Sequence, residues 1–599
     1  MNLAPGFEKV TPQGFGRGAF GQGHMRSTAS GVGGLAASWR SNPFDIALAA
    51  IVLVGLVFAF VGLASSSYFV DELFTLYLID HQGGLAEVLR RALTDTGPPA
   101  YYFALYEWTR LTGVSEIATR LLSALFASAA VLTFLFGTGS LFSERARLFA
   151  AAVAVAGRFW FIQSQMVRAY APGLLISMAL IVLALSLRRR AADQRPSWRV
   201  WAALTILTLL GCLTHFYLAL EGGLVVAYLV LTVGDTRLKT ALLLSGILDI
   251  VATAAYAGQL LRHTQQDVRH LWFSSDSKFL VLETLVAIRG VAGPAIAPVM
   301  AILIIAGAFR VMQRPRLGRG LGASASPDLI WAAGLASFVL VGMVGLGVAV
   351  SVTLVPSFSG RNLLIAAPMV WMLCAAIFDL AAPRLDTTTG KVVALVIVLA
   401  LAGSQALHVV GRFLPRLQEW RASARYVDGL SACDGQAIPV MALQTFAPNT
   451  PHFLRLTESR FYGHYERSPG RLQVHWPTDF GLVDARAAAK APATATPRAQ
   501  PQLAALMRQR LSGAERCPVL VWQVHHPTAA DAESLRRAIA LAAGVSPDRV
   551  AAVGFPHFKL RLSGWRPVTE AYVFVARPPP RPGQNRNTSG DMDRRVDQP

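Results

Sequence analysis

The sequence predicts an α-helical polytopic membrane protein with about 11 transmembrane helices, short interfacial helices on its outer face and a soluble C-terminal α/β domain. Three observations predict it. Of 599 residues, 53% are hydrophobic and only 15% charged, where a soluble globular chain carries about 25% charged residues. Long apolar runs alternate with short basic clusters. After about Arg412 the composition turns to that of a soluble domain. The net charge of +20 would suit nucleic acid if the basic residues formed one continuous stripe. They stand between apolar runs instead, so no nucleic-acid partner is expected. Four cysteines exclude a disulfide-built scaffold.

Residues 1–43 read as a disordered cytoplasmic segment and 44–410 as the membrane domain. A hydrocarbon core of about 30 Å needs roughly 20 apolar helical residues. The first such run, Phe44–Ala64, lacks a small-residue cleavage site and reads as a retained anchor. Thr119–Phe136, Leu148–Ile162, Pro172–Leu187, Trp198–His215 and Tyr217–Val233 follow. Thr240–Leu261, Leu285–Val311, Leu329–Val352, Leu363–Leu380 and Val392–Val410 complete the set. With the N-terminus inside, most short-loop arginines fall on the cytoplasmic side, among them Arg145, Arg147, Arg188, Arg189, Arg190, Arg314 and Arg316. Residues 70–117 and everything after about Arg412 are then outside. Within 70–117, Asp71–Leu78 and Leu85–Leu93 read as amphipathic helices, and Pro98–Leu111 carries an aromatic face expected to lie flat at the membrane surface.

Residues 411–577 read as an outer α/β domain with strands Ala437–Leu443, Val519–Val524, Val550–Val553 and Ala571–Ala576 and helices Gln502–Leu511 and Ala530–Ala543. Ala485–Pro501 reads as a surface loop, and 578–599 as a disordered tail. Cys433 and Cys517 each precede a strand. If those strands are parallel neighbours, the thiols share a sheet edge and a disulfide is one outcome, two unpaired thiols the other.

Five polar constellations fall on the outer face. Asp71 and Glu72 follow the first span, where desolvation would raise a carboxylate's pKa and suit it as a base; a helix-dipole complement is the structural alternative. Pro98 and Pro99 begin a helix bearing Tyr101 and Tyr102. Gln165, Arg168 and Tyr170 crowd one turn, where an arginine can grip phosphate with two nitrogens or snorkel to headgroups. Gly360 supplies backbone freedom beside Arg361 in a very short loop. His215 sits in a Thr-His-Phe-Tyr turn. None of the five lies midway through the membrane, where Glu221 and the isolated Asp249 are the nearest candidates, which fits a transporter poorly.

In this order these motifs, together with Ser115–Phe126 around Arg120 and a late arginine before Pro368, resemble the GT-C superfamily of integral-membrane glycosyltransferases. The nearest branch is the bacterial lipid-linked-sugar transferases: the aminoarabinose and galacturonic acid transferases of lipopolysaccharide and the protein O-mannosyltransferases. The resemblance covers about Pro43–Val410 and implies a GT-C-like fold in a bacterial plasma membrane, with the C-terminal domain periplasmic. It implies a polyprenyl-phosphate-linked sugar donor, an envelope glycan, lipid or protein acceptor, and surrounding membrane lipids. Asp71 would be the base of an inverting transfer, with Glu72 orienting the acceptor or assisting Asp71. Arg168 and Arg361 would meet the leaving phosphate, and Gln165, Tyr170, Tyr101, Tyr102 and His215 would contribute to donor binding. Gly97 and Met166 stand where the family often has His and Glu, which puts a metal or acceptor contact there in doubt. No cofactor and no metal ligands are indicated, and a divalent cation stays open. The alternatives are a transporter or flippase of a lipid-linked glycan, and a non-catalytic membrane scaffold.

Overall fold

The computed structural model describes residues 42–93, 97–192, 198–267, 275–313, 327–354, 356–381, 385–430, 438–442, 460–466, 472–475, 501–512, 517–524, 529–561 and 564–578. The N-terminal segment, the tail after 578, the expected loop Ala485–Pro501 and Cys433 lie outside the described residues.

Each of the eleven apolar runs contains a helix, but they are not eleven equal spans: the expected Phe44–Ala64 is helical only to Phe58. Six helices among the described residues are long and apolar enough to cross a membrane: α5 (Glu116–Gly137), α8 (Tyr170–Ala192), α11 (Thr236–Asp267), α13 (Pro327–Thr353), α16 (Thr388–Gly411) and the composite Gly360–Ala381. The composite joins α14 (Gly360–Leu363) to α15 (Ala367–Ala381) through a 3-10 turn. Within α12 (Ser277–Gln313), Ser277–Val291 and Ile296–Ile305 meet at 89° near Gly293, which takes a positive φ of 62°, so this element is either a broken seventh span or a re-entrant loop. Shorter apolar helices are α1 (Pro43–Phe58), α9 (Trp198–Cys212) and α10 (Phe216–Thr232).

The expected span Leu148–Ile162 is corrected to a broken one. It forms α6 (Glu144–Ala156) and α7 (Arg158–Gln163), broken where Gly157 is extended. At about 1.5 Å per residue α6 reaches only about 20 Å. Nearly all of it is buried among its neighbours, so its apolarity reflects a protein interior rather than a lipid-facing surface. A side chain at Gly157 would come within 3.1 Å of the Val291 carbonyl oxygen.

Residues expected on the cytoplasmic side gather at one end of the bundle. Arg145 pairs with Asp45 at 2.6 Å, Arg188 with Asp328 at 2.7 Å, and the Ser143 amide donates to Asp379 at 3.0 Å.

At the other end lie α2 (Val70–Leu78), α3 (Gly84–Ala92) and α4 (Ala100–Thr112). The expected flat placement on the membrane surface is corrected for the aromatic face of α4. Tyr101, Tyr102 and Tyr106 are buried between the bundle and the outer domain, and only Phe103 is markedly exposed.

The C-terminal domain, called outer here after its expected side, holds α17 (Trp420–Gly429), α18 (Pro501–Ser512), α19 (Ala529–Ala543) and five strands. These are β1 (Ile438–Ala442), β2 (Leu472–His475), β3 (Val519–Val524), β4 (Val550–Arg561) and β5 (Gly564–Ala576), in the order β2-β1-β3-β5-β4. The short β2 was not anticipated. β1 and β3 are parallel neighbours, whereas β4 and β5 form a long antiparallel hairpin. Alternation along the strands divides the domain into two layers. Leu520, Trp522, Val573 and Val575 pack towards α17 and the outer helices, while Val519, Val521, Phe574 and Ala576 pack against α18 and α19. Cys517, two residues before β3, is disulfide-bonded, and Cys212 and Cys374 are free and buried. The outer domain is bolted to the bundle by Arg421, which donates to the carbonyls of Ala64 and Ser66 and pairs with Glu116.

Candidate functional site

Neighbouring residues on a helix point about 100° apart, so the Asp71–Glu72 pair at the start of α2 separates into two environments. Asp71 faces outward with 35% of its side chain exposed. Glu72 is fully buried.

Glu72 accepts from four donors. Arg120 Nε (3.1 Å) and the Val167 amide (2.9 Å) meet one oxygen; Arg120 Nη2 (2.8 Å) and the Phe69 amide (2.8 Å) meet the other. Arg120 spends its remaining donors on the carbonyls of Leu63, Ser66 and Ser67 at 2.7–3.0 Å. Glu72 therefore does not stand beside Asp71 to receive an acceptor, as the sequence led us to expect. It ties the first turn of α2, which carries Asp71, to the 164–168 turn, which carries Arg168.

Arg361 reaches Asp71 from 290 positions away, its Nη1 3.3 Å from Asp71 Oδ2. The loop before it is built to hold that arm in place. Ser351 Oγ accepts from the amides of Ser357 and Phe358, and Asn362 Nδ2 donates to the Ser357 carbonyl at 3.0 Å. The Gly360 amide donates to Glu283 Oε2 at 2.7 Å. Gly360 is not in a left-handed conformation. Glycine is required by close approach, because a Cβ there would lie 2.7 Å from the Glu283 carbonyl oxygen. Glu283 was missed in the sequence, where a single acidic residue near an apolar run carries no distinguishing signal.

Arg168 is half-buried beside the pair, with Nη1 3.5 Å from Thr75 Oγ1, itself donating to the Asp71 carbonyl at 3.0 Å. Asp71, Arg168 and Arg361 all act electrostatically on buried Tyr170. Tyr170 lies 5.7 Å from the His215 ring, which is also within the field of Arg168. His215 caps α10, its Nδ1 accepting from the Tyr217 amide at 3.2 Å, which leaves Nε2 to carry the proton of the neutral ring. Tyr101 is buried beneath, within the field of Arg168 and Glu72.

Two expected donor-binding residues lie elsewhere. Gln165 is buried, its amide donating to the carbonyls of Ala59 and Val61 and its oxygen accepting from Arg416 Nη2 at 2.9 Å. Its place is a seam between the first helix and the outer domain. Tyr102 packs in the interior of the outer helices. The structure thus unites Asp71, Arg168, Arg361, Tyr170 and His215 and removes Glu72, Gln165 and Tyr102 from direct contact. No group of three or more metal-binding side chains occurs among the described residues. Glu221 and Asp249, the midplane candidates, are buried against Ser177 and Cys212 respectively.

What this site can do is bring a reachable carboxylate and two guanidiniums to one point at this end of the bundle. Planar guanidiniums match phosphate oxygens, and a carboxylate can take a proton. No family model and no curated protein matches the chain. Among solved structures it is similar to the arabinofuranosyltransferase AftD from Mycobacteria, at 14% identity and a TM-score of 0.43, over 89% of this chain and 40% of that one. It is also similar to ArnT from Cupriavidus metallidurans bound to undecaprenyl phosphate, at 14% identity and 0.44, over 88% of this chain and 97% of ArnT. ArnT in the apo state gives 15% identity and 0.38, over 90% and 98%. The chain therefore spans less than half the length of AftD and nearly all of ArnT.

Proposed function

We propose that this protein is a GT-C-type glycosyltransferase of a bacterial plasma membrane. It moves a sugar from a polyprenyl-phosphate donor to an envelope glycan, lipid or protein acceptor on the outer face, inverting the anomeric carbon. The observation that carries this reading is the Asp71–Arg361 pair at 3.3 Å, with Arg168 held beside it by the turn that Glu72 anchors.

In the resting site Arg361 occupies Asp71. An arriving donor phosphate competes for Arg361, whose planar fork can grip two phosphate oxygens, and the exchange frees the Asp71 carboxylate for the acceptor hydroxyl. Asp71 takes the hydroxyl proton as the oxygen attacks the anomeric carbon. The bond to phosphate breaks on the opposite face, and the phosphate leaves with its electron pair. Arg361 and Arg168 meet the negative charge that develops on it, so no general acid is needed. The neutral His215 ring and Tyr170 supply hydrogen-bonding groups beside Arg168.

The test uses the full chain in proteoliposomes with radiolabelled polyprenyl-phosphate sugars and extracted envelope acceptors. Asp71→Asn should lower transfer about 10²–10⁴-fold, the span of general-base catalysis, while donor binding persists. Full transfer by that variant would exclude Asp71 as the base.

A further inference from the structure

A second cationic centre surrounds Phe161, where α7, the outer end of α16 and the tip of the β4–β5 hairpin meet. The guanidinium carbons of Arg412 and Arg416 lie 4.4 and 4.7 Å from its ring centroid, the His408 ring is stacked at 5.1 Å, and Trp565 meets it edge-on at 5.9 Å. Arg412 is buried, with Nη2 donating to Ser164 Oγ at 2.9 Å and Nη1 left without a partner. Arg416 donates to Gln165 through Nη2, and its Nε is buried without a partner. The carboxylate that acts on Arg416 is Glu72, which Arg120 already holds.

Three more arginines stand next to this floor. Arg158 opens α7 and lies within the fields of Arg289, from α12, and Arg561, from β4; His408 in turn lies within the fields of Arg412 and Arg158. Arg158, Arg289 and Arg561 are exposed. Among the described residues none of the five has a carboxylate within ion-pair distance. Burial and the neighbouring arginines push the Arg412 pKa down, and that of Arg416 down to about 9, still above neutral pH. A guanidinium stays charged near neutral pH, so a cluster like this stores repulsion that an anion would relieve.

We propose that these five arginines form an anion site separate from Asp71 and Arg361, taking a phosphate group at the membrane surface. The exposed three make the contacts, and the buried two supply positive potential from behind. Leu407, Val410 and Phe413 on the adjoining turns are exposed apolar side chains suited to acyl chains, and Trp565 Nε1 donates to the Leu407 carbonyl at 2.7 Å. A phosphate held here would clamp the outer-domain hairpin to the bundle, a role independent of the transfer reaction.

The experiment measures melting temperature and native mass spectra of the delipidated full chain with phosphatidylglycerol, phosphatidylcholine or inorganic phosphate. Wild type is compared with Arg158→Gln/Arg561→Gln, whose exposed positions leave folding intact. Phosphatidylglycerol should raise the melting temperature of wild type, and its apparent Kd should rise about tenfold or more in the variant. Stabilisation by phosphatidylglycerol alone assigns the anion to a lipid headgroup, and equal stabilisation by inorganic phosphate assigns the site to the free ion. Equal binding of both anions by wild type and variant would overturn the proposal. Arg412→Gln provides a second reading: if it folds, its anion affinity should also fall.

Discussion

Replacing Glu72 by glutamine separates an anchoring role from a chemical one. Four donors at 2.8–3.1 Å converge on the two carboxylate oxygens. Glutamine offers one acceptor oxygen and one NH2, so two of those donors lose their acceptor. The charge opposite Arg120 disappears as well, and the Arg120 side chain is only 2% exposed. Breaking a buried ion pair by removing one partner costs about 3–5 kcal/mol, which already includes the stranded hydrogen bonds. Glu72→Gln should therefore destabilise the protein by about 4 kcal/mol, read from SDS-titrated unfolding in mixed micelles. In the cycle with Arg120→Gln the double variant should lose less than the sum of the single variants, by about 1–3 kcal/mol. If Glu72→Gln unfolds within about 1 kcal/mol of wild type but transfers no sugar, the anchor reasoning is wrong and Glu72 acts in the chemistry.

Gly360→Ala would push a Cβ to 2.7 Å from the Glu283 carbonyl and 3.1 Å from the Ala287 amide. We expect a loss of about 1–3 kcal/mol and at least a tenfold fall in kcat/KM as Arg361 shifts, checked by unfolding and transfer assays together. Arg361→Gln should lower transfer about 10²–10³-fold, and Arg361→Lys should rescue it only in part because lysine lacks the planar fork. Burial pushes the Glu419 carboxyl up to about 7 from 4.5, so the folded chain holds that proton more tightly than the unfolded one. This contribution is complete below pH 4.5 and is lost as pH rises through 7. Relative to Glu419→Gln, wild type should lose up to about 3 kcal/mol across that window, measured as the difference between their pH–stability curves.

Much of the architecture is legible from apolar periodicity, because a lipid-facing or core helix needs a long apolar run wherever it sits. That same signal cannot show a break in a buried helix, which is why Leu148–Ile162 reads as one continuous span. Only the extended Gly157 and the burial of α6 by its neighbours reveal two short helices. The aromatic face of α4 is similar. Tyr101, Tyr102 and Tyr106 have the composition of a membrane-interface belt, yet they are buried in a cluster that also takes in Trp420 and Trp522, more than 300 positions further along the chain. Gln165 sat beside Arg168 in sequence, but its amide found the free carbonyls at the end of the first helix.

By itself the sequence determined residue chemistry and rough location: apolar helices, a C-terminal α/β region, and a small set of acids and arginines at the ends of helices. Only the tertiary structure decided which of two adjacent carboxylates faces solvent. It also decided that Arg361 reaches Asp71, and that Glu72 is spent on Arg120. The physical reason is that a charge is defined by its surroundings. Whether a carboxylate is desolvated, paired or reachable depends on groups that packing, and not chain position, brings within a few ångströms.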